Sequence, residues 1–326
     1  MKLQTPDVFE TMAHDLKLVD ARLEAAATID FPMVSTLIRD IVMVGGKRMR
    51  PLLLLLAARS YSYDLDRAVT AAAGVELLHT ASLVHDDHID RAALRRGQPT
   101  LNNQLSSGAV ILIGDYLFAQ SAILAAATND TRVVTIFATS LAEICDGQIR
   151  ETLDAHRISQ NQADYERRIY GKTAALFAGA AEMGAVIGQA SESEIANLRG
   201  FGTDLGMAFQ IMDDILDLRE GTQVLGKPAG NDIRQGVVTL PTMMYAEQAS
   251  SSRQELLEQV IAGETTDDHL IDDLIGDIRL SGAIDRAQER ALMFASQARE
   301  RLEIIANAET RGYLNELIDL TLTRSA

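Results

Sequence analysis

The chain has 326 residues, 47% of them hydrophobic and 23% charged, enough to bury a substantial core in one large domain or two smaller ones. Its 46 acidic residues against 30 basic ones give a net charge of −16, which excludes the basic surface that nucleic acid requires but not a phosphorylated small molecule bridged through metal ions. Cys145 is the only cysteine, so an intrachain disulfide is excluded, and the first ten residues lack a signal peptide's apolar core; a reducing, cytoplasmic setting is expected.

Glycine and proline are sparse and long Ala/Leu/Ile/Glu/Arg runs dominate, so the chain reads as all-α. An amphipathic helix is expected over 7–27, with Val8, Met12, Leu16, Val19 and Leu23 near one face. A short helix over 31–44 is stopped by Gly45-Gly46, and Pro51 sits in the first turn of a buried helix over 52–60. A long helix over 64–88 and a polar loop over 91–107 follow, then helices over 108–128, 132–155, 162–188 and 192–218. The stretch 108–127 is nearly unbroken apolar sequence around Asp115; a central Asp is costly in lipid, so it reads as a buried core helix and not a membrane span. A second loop over 220–236 holds Gly221, Gly226, Pro228, Gly230 and Gly236, and shorter helices (239–249, 253–262, 267–279, 282–306 and 310–323) complete the chain. With no repeat and no linker, a single domain over 1–326 is expected, its motifs within about 40–245 and its C-terminal part structural.

Two aspartate clusters of one design carry the chemistry. The first is Asp86-Asp87-His88-Ile89-Asp90 and the second Asp213-Asp214-Ile215-Leu216-Asp217, each at the end of an apolar, helix-forming run. Residues at i and i+4 share a helix face, so Asp86 points with Asp90, and Asp213 with Asp217. Like charges so placed repel, and hard divalent cations are the usual remedy, since carboxylate oxygens suit Mg²⁺. One such cluster could be a solvated acidic face; two, both set against apolar runs, point to metal ions and a polyphosphate.

Cations cluster just beyond each acidic motif. Gly45-Gly46-Lys47-Arg48-Met49-Arg50-Pro51 sets three on a glycine-led turn, Arg95-Arg96-Gly97 follows the first cluster, Lys172-Thr173 lies in a helix, and Lys227 follows the second cluster. Arg's planar fork and Lys's point charge both suit phosphate oxygens. These segments, together with Leu78-His79-Thr80-Ala81-Ser82-Leu83-Val84-His85, Phe209-Gln210-Ile211-Met212 and Gly226-Lys227-Pro228, occur in an order that resembles the trans-isoprenyl diphosphate synthases. The likeness is strongest to their long-chain, homodimeric polyprenyl members of the octaprenyl and solanesyl type.

The resemblance implies an all-α, antiparallel helical bundle around a deep central cavity, the isoprenoid synthase fold. It implies Mg²⁺-dependent head-to-tail (1′-4) condensation of isopentenyl diphosphate with an allylic diphosphate, and a homodimer. By motif, Asp86, Asp90 and Asp213 ligate Mg²⁺, about three ions per site, with Asp87 and Asp217 as water-mediated partners. Arg95, Lys172 and Lys227 hold the allylic diphosphate; Lys47, Arg50, His79 and Arg96 hold isopentenyl diphosphate; Thr173 and Gln210 lie where the family stabilises the allylic cation. Breaking an allylic C–O bond leaves a carbocation and diphosphate, so concentrated positive charge must meet the leaving group and water must be kept out. No side chain stands out as the base that takes the final proton; the released diphosphate is the simplest acceptor. Where many members carry Lys after the second loop, this chain has Val237, and Arg234 is a candidate replacement.

Product length follows from what lies beneath the first cluster, since one helical turn of about 5.4 Å matches one isoprene unit. Ala81 and Ser82 are small there, so the floor falls to Leu78 and Phe137 and a product of roughly six to ten units is expected, at about one helical turn per unit. Four other readings compete. A shorter-chain (farnesyl or geranylgeranyl) synthase would need a bulkier floor. A class I terpene cyclase has no need of Lys47, Arg50 and His79 and usually carries a different second metal motif. A non-catalytic subunit of a heteromeric synthase tends to lose the carboxylates that this chain keeps. A His-Asp phosphohydrolase would use His85-Asp86, but His79 is too near to be an independent ligand, and His85 and His88 read as local helix residues. A long apolar product implies transient membrane contact, opposed by the net charge of −16.

Overall fold

The computed structural model describes residues 7–43, 46–95, 97–219 and 229–323. Of the expected site residues, Arg96 and Lys227 lie outside the described residues, as do Gly45, Gly226 and Pro228 of their motifs.

The expected helices form, and local chemistry sets their ends. The first amphipathic stretch is α1 (Val8–Thr11) and α2 (Ala13–Ala26), parted at Met12, and α3 spans Pro32–Met43. α4 is Met49–Arg59; α5 is Leu65–Ile89, capped by the Asp64 carboxylate, which accepts from Arg67 N at 3.2 Å. The loop expected over 91–107 contains an antiparallel hairpin, β1 (Leu94–Arg95) and β2 (Gln98–Pro99), with Gly97 at φ 75° in its turn. Strands of two residues carry no periodicity, so composition does not show them. α6 (Ser107–Ala127) and α7 (Thr131–Asp154) follow. The single helix expected over 162–188 is instead α8 (Gln162–Ile169), a π-helical turn (Tyr170–Ala174) and α9 (Ala175–Ile187). After α10 (Glu192–Arg219), a short helix Asn231–Arg234 appears within the second expected loop. Helices Leu240–Ala246, Ser251–Ile261, Asp268–Leu280, Ala283–Arg301 and Ala308–Leu322 end the chain.

Contacts gather the chain into two compact units. The first comprises the residues up to Leu141 with Leu176–Gly202 and Glu300–Leu317; the second comprises Ala142–Ala175, Thr203–Arg299 and the residues from Ile318 onward.

In the first unit α5 is packed between α2, α4 and α6, and buries Ala68 to Leu78 continuously. Leu52 to Ala58 of α4 are all buried, and Gly184 lets the helices meet closely: a Cβ there would lie 2.3 Å from Leu54 O. Arg48 is a structural clamp. Its backbone is left-handed at φ 52°, and its guanidinium donates to Asp20 Oδ1 (3.1 Å), Glu76 Oε1 (2.9 Å) and Val42 O (2.9 Å). One side chain thereby joins α2, α3 and α5, and supplies the counter-charge for a buried Glu76.

α6 departs from the buried-core expectation. Val110, Ile113, Leu117 and Leu124 are buried, but Ile111, Leu112 (68% exposed) and Ile123 lie on an outward face with Asp115. Among the described residues it is the one helix long and apolar enough, by length and composition, to cross a membrane, with 39% of its most apolar window buried. Its apolarity therefore serves two faces, of which the core takes only one.

In the second unit Tyr165, Ile169, Met207, Ile211, Ile215, Leu218, Ile233, Ile271, Leu274 and Ile275 share one core. This is the apolar side of α8 and α10, closed by the later helices. Arg279 Nε donates to Leu218 O at 2.6 Å, satisfying a carbonyl at the end of α10.

Removing the Arg48 clamp leaves the Glu76 charge buried and uncompensated. Arg48→Ala should destabilise the protein by about 3 kcal/mol in urea unfolding. Lys47→Ala, an exposed neighbour, should change stability by less than about 0.5 kcal/mol.

Candidate active site

The first aspartate cluster occupies the last turn of α5. Asp86 and Asp90 are one turn apart, Asp90 N donating to Asp86 O at 2.8 Å, and Arg91 at φ 51° ends the helix just beyond. The chain then reverses, and the hairpin returns Arg95 to the cluster: its Nε donates to both Asp87 oxygens at 2.8 Å. Asn102 donates to Asp87 O (2.7 Å) and Ala92 O (3.1 Å), holding the reversal in place. His88 bonds Asn102 Oδ1 and Ser107 Oγ, both at 2.9 Å, so it ties α5 to the start of α6. His85 Nε2 is 3.2 Å from Ile111 O and 3.5 Å from Asp115, and its ring meets Phe118 edge-on. His85 thus pairs across to α6, as a local helix residue does.

The remaining expected residues of this unit divide by exposure. Lys47 is exposed, whereas Arg50 is buried with its guanidinium carbon 4.5 Å from the Phe177 ring centre, a cation–π stack. His79 is half-buried and its carbonyl accepts from Ser82 Oγ at 2.8 Å. Leu78, Ala81 and Phe137 are buried, and Ser82 is half-buried.

In the second unit the π-helical turn organises the chemistry. It widens the helix by one residue at Gly171-Lys172-Thr173. The turn lies against α7 through two glycines: a Cβ on Gly147 would be 2.2 Å from Lys172 N, and one on Gly171 would be 2.7 Å from Glu143 O. That approach brings Lys172 Nζ into an ion pair with Glu151, one turn further along α7. Thr173 Oγ1 donates to Gln210 Oε1 at 2.7 Å, and Gln210 Nε2 donates to Asp214 Oδ1 at 2.7 Å. Tyr165 OH completes the chain by donating to Asp214 Oδ2 at 2.6 Å.

The three aspartates of the second cluster sit in different environments. Asp213 is exposed, Asp214 is buried and Asp217 is half-buried. Burial pushes the Asp214 carboxyl up to about 7, with the Asp213 charge adding to it, while the bonds from Tyr165 and Gln210 oppose the rise. Asp217 accepts from Asn231 N (3.2 Å) and Asp232 N (3.1 Å), capping the short helix that Gly230 opens at φ 68°. Burial, and then the Asp217, Asp214 and Glu151 carboxylates, hold Asp232 well above the ordinary carboxylate range, with Lys172 countering in part. Arg234, the candidate replacement for a cation at Val237, is engaged by Asp268, Asp272 and Ala229 O.

Among the described residues no group of three or more Asp, Glu, His or Cys is gathered at metal-holding spacing. The donor chemistry nevertheless fits hard cations: in the first unit Asp86 and Asp90 share one helical turn at the end of α5, and in the second unit Asp213 is exposed on α10. Mg²⁺ habitually takes one or two carboxylates and completes its octahedron with substrate phosphates and water.

Glu151, Asp232 and Tyr165 were not singled out from sequence. Glu151 and Asp232 were hidden by the abundance of acidic residues, and Tyr165 by its place in a core-facing helix; only tertiary contact brings them to Lys172, Asp217 and Asp214.

An all-α chain with two Asp-Asp-x-x-Asp segments, and a Lys-Thr turn bonded to a Gln one turn before the second, has the make-up of a prenyl-transferring enzyme of the isoprenoid synthase fold. A family model described as polyprenyl synthetase matches residues 31–278. A heptaprenyl diphosphate synthase component 2 from Geobacillus stearothermophilus is 38% identical over 97% of this chain and 97% of its own length. An octaprenyl diphosphate synthase from Haemophilus influenzae is 32% identical over 99% and 98%. Among solved structures, a polyprenyl synthase from Caulobacter crescentus, complexed with calcium and isoprenyl diphosphate, superposes with a TM-score of 0.94 at 33% identity, covering 98% of this chain and 97% of that one. The chain belongs to the polyprenyl synthetase family and is a prenyltransferase.

The glycine approach that positions Lys172 has no room for a methyl group. Gly147→Ala should cost about 1–3 kcal/mol of stability and should depress turnover of the folded fraction, read as activity per active enzyme after thermal-melt correction.

Proposed function

We propose that this chain is a Mg²⁺-dependent polyprenyl diphosphate synthase, joining isopentenyl diphosphate head-to-tail to an allylic diphosphate and repeating the step to a long trans-polyprenyl product. The observation that carries the reading is the bonded Thr173–Gln210 pair (2.7 Å), which sets two oxygen dipoles beside the second aspartate cluster in a chain of this family. Whole-chain similarity to heptaprenyl and octaprenyl synthases supports the length class. The whole chain acts as one catalytic domain in this reading.

Asp86, Asp90 and Asp213 hold the metal ions, about three of them; Asp87 and Asp217, already bound by Arg95 and by backbone amides, act at one remove. Mg²⁺ held by Asp86, Asp90 and Asp213 would supply the positive charge that an allylic diphosphate needs as a leaving group. Arg95, Lys172 and Lys227 bind that diphosphate, so Lys172 must exchange Glu151 for phosphate oxygens. Lys47, Arg50, His79 and Arg96 bind isopentenyl diphosphate, with Phe177 stacking to hold Arg50. Thr173 and Gln210 place partial negative charge near the allylic cation while the isopentenyl double bond attacks it. Ala81 and Ser82 leave room below the first cluster, and Leu78 and Phe137 limit it.

The apolar outward face of α6, with Ile111, Leu112 and Ile123, supports self-association as a homodimer. A second reading is favoured by the name of the Geobacillus relative, component 2: this chain works with a different polypeptide. Purified protein incubated with labelled isopentenyl diphosphate and farnesyl diphosphate separates the two. The expected result is a ladder ending at roughly six to ten units, abolished by EDTA and restored by Mg²⁺. A product of about four units would overturn the length assignment. No product from the pure chain, but product on adding a partner, would establish the heteromer.

Phe137→Ala should lengthen the final product, by roughly one unit per helical turn of floor removed. An unchanged distribution would remove Phe137 as the floor.

A further inference from the structure

The hydrogen-bond chain through Gln210 ends on two residues to which the reading above assigns no role, Asp214 and Tyr165. An amide has a carbonyl edge that attracts positive charge and an amino edge that repels it, and the two are nearly the same shape. Which edge points at the reacting carbon is decided by the partners on its other side. Thr173 can donate or accept, so it does not settle the matter. Tyr165 OH donates to Asp214 Oδ2, so Asp214 Oδ1, 2.7 Å from Gln210 Nε2, is the oxygen that accepts from the amide. It claims the amino edge, and the carbonyl oxygen then takes the Thr173 hydroxyl proton at 2.7 Å. With that proton spent, the Thr173 oxygen and the Gln210 carbonyl both offer lone pairs elsewhere. Tyr165 OH, fully buried and 2.6 Å from Asp214 Oδ2, donates to that oxygen and fixes the rotation of the carboxyl group.

We propose that Tyr165, acting through Asp214, is a positioning residue that sets the amide orientation of Gln210, so that the carbonyl edge and the Thr173 oxygen meet the developing allylic cation. The inference rests on the prenyl-transfer reading given above. Losing the phenol hydroxyl leaves both substrates' diphosphates bound by other groups, so its effect falls on the chemical step and not on binding.

The test is a double-mutant cycle on the full chain, with kcat and both KM values measured for wild type, Tyr165→Phe, Gln210→Leu and the double variant, and with thermal unfolding as a folding control. The expected result is an about tenfold fall in kcat for Tyr165→Phe, each KM staying within about twofold, as for loss of one hydrogen bond to a charged group. In the Gln210→Leu background the same change should have no further effect, because there is no amide left to orient. Equal losses in both backgrounds, or a kcat within about twofold of wild type, would overturn the proposal. If Tyr165→Phe fails to fold, Asp214→Asn replaces it in the same cycle, because an amide there no longer dictates which edge of Gln210 it receives. Wild-type elongation is the internal control: its absence would sink the proposed activity itself, whereas an active wild type with additive losses sinks only the role of Tyr165.

Discussion

Carboxylates one helical turn apart on largely buried helices repel one another, and such a helix survives only where something compensates them. Much of this structure is that compensation. In each cluster the second aspartate turns to a protein donor: Arg95 grips Asp87 through both oxygens, and Tyr165 with Gln210 grips Asp214. Asp217 is met by two backbone amides at the start of a helix. The protein thus neutralises or solvates part of each cluster internally, and Asp86, Asp90 and Asp213 are the carboxylates that the proposed reading gives to metal.

The donors differ in kind, with consequences for what each can do. A guanidinium supplies a full charge that can also meet a diphosphate, and it arrives on a hairpin whose turn needs Gly97 in the left-handed region. A phenol and an amide supply only dipoles, which suit a buried position where a full charge would be costly to desolvate. The same logic explains the Lys172–Glu151 pair: a half-buried ammonium in the π-helical turn takes a carboxylate partner. Lys172 and Thr173, successive residues of the π turn, meet different partners, and Gly147 and Gly171 let the two backbones touch there.

Apolar sequence, by contrast, was ambiguous wherever two surfaces competed for it. α6 is apolar nearly all round, yet one face packs against α5 and the other is exposed. Hydropathy alone does not distinguish a helix buried on all sides from one that also presents a surface to a partner, because both exclude charge.

The sequence by itself determined the all-α class, most helix boundaries to within a few residues, and the kind of chemistry, because helical period, capping residues and paired i, i+4 carboxylates are local properties of the chain. Asp64 at the head of α5 and the aspartate clusters of α5 and α10 were legible for that reason. What only the tertiary structure decided was the use of each charge. Arg48 and Arg50 are two residues apart, yet one clamps Asp20 and Glu76 while the other stacks on Phe177; Arg234 goes to Asp268 and Asp272; Asp214 is buried beside an exposed Asp213. Partnership between charged groups depends on distance and desolvation between segments remote in sequence, and neither is encoded in local pattern.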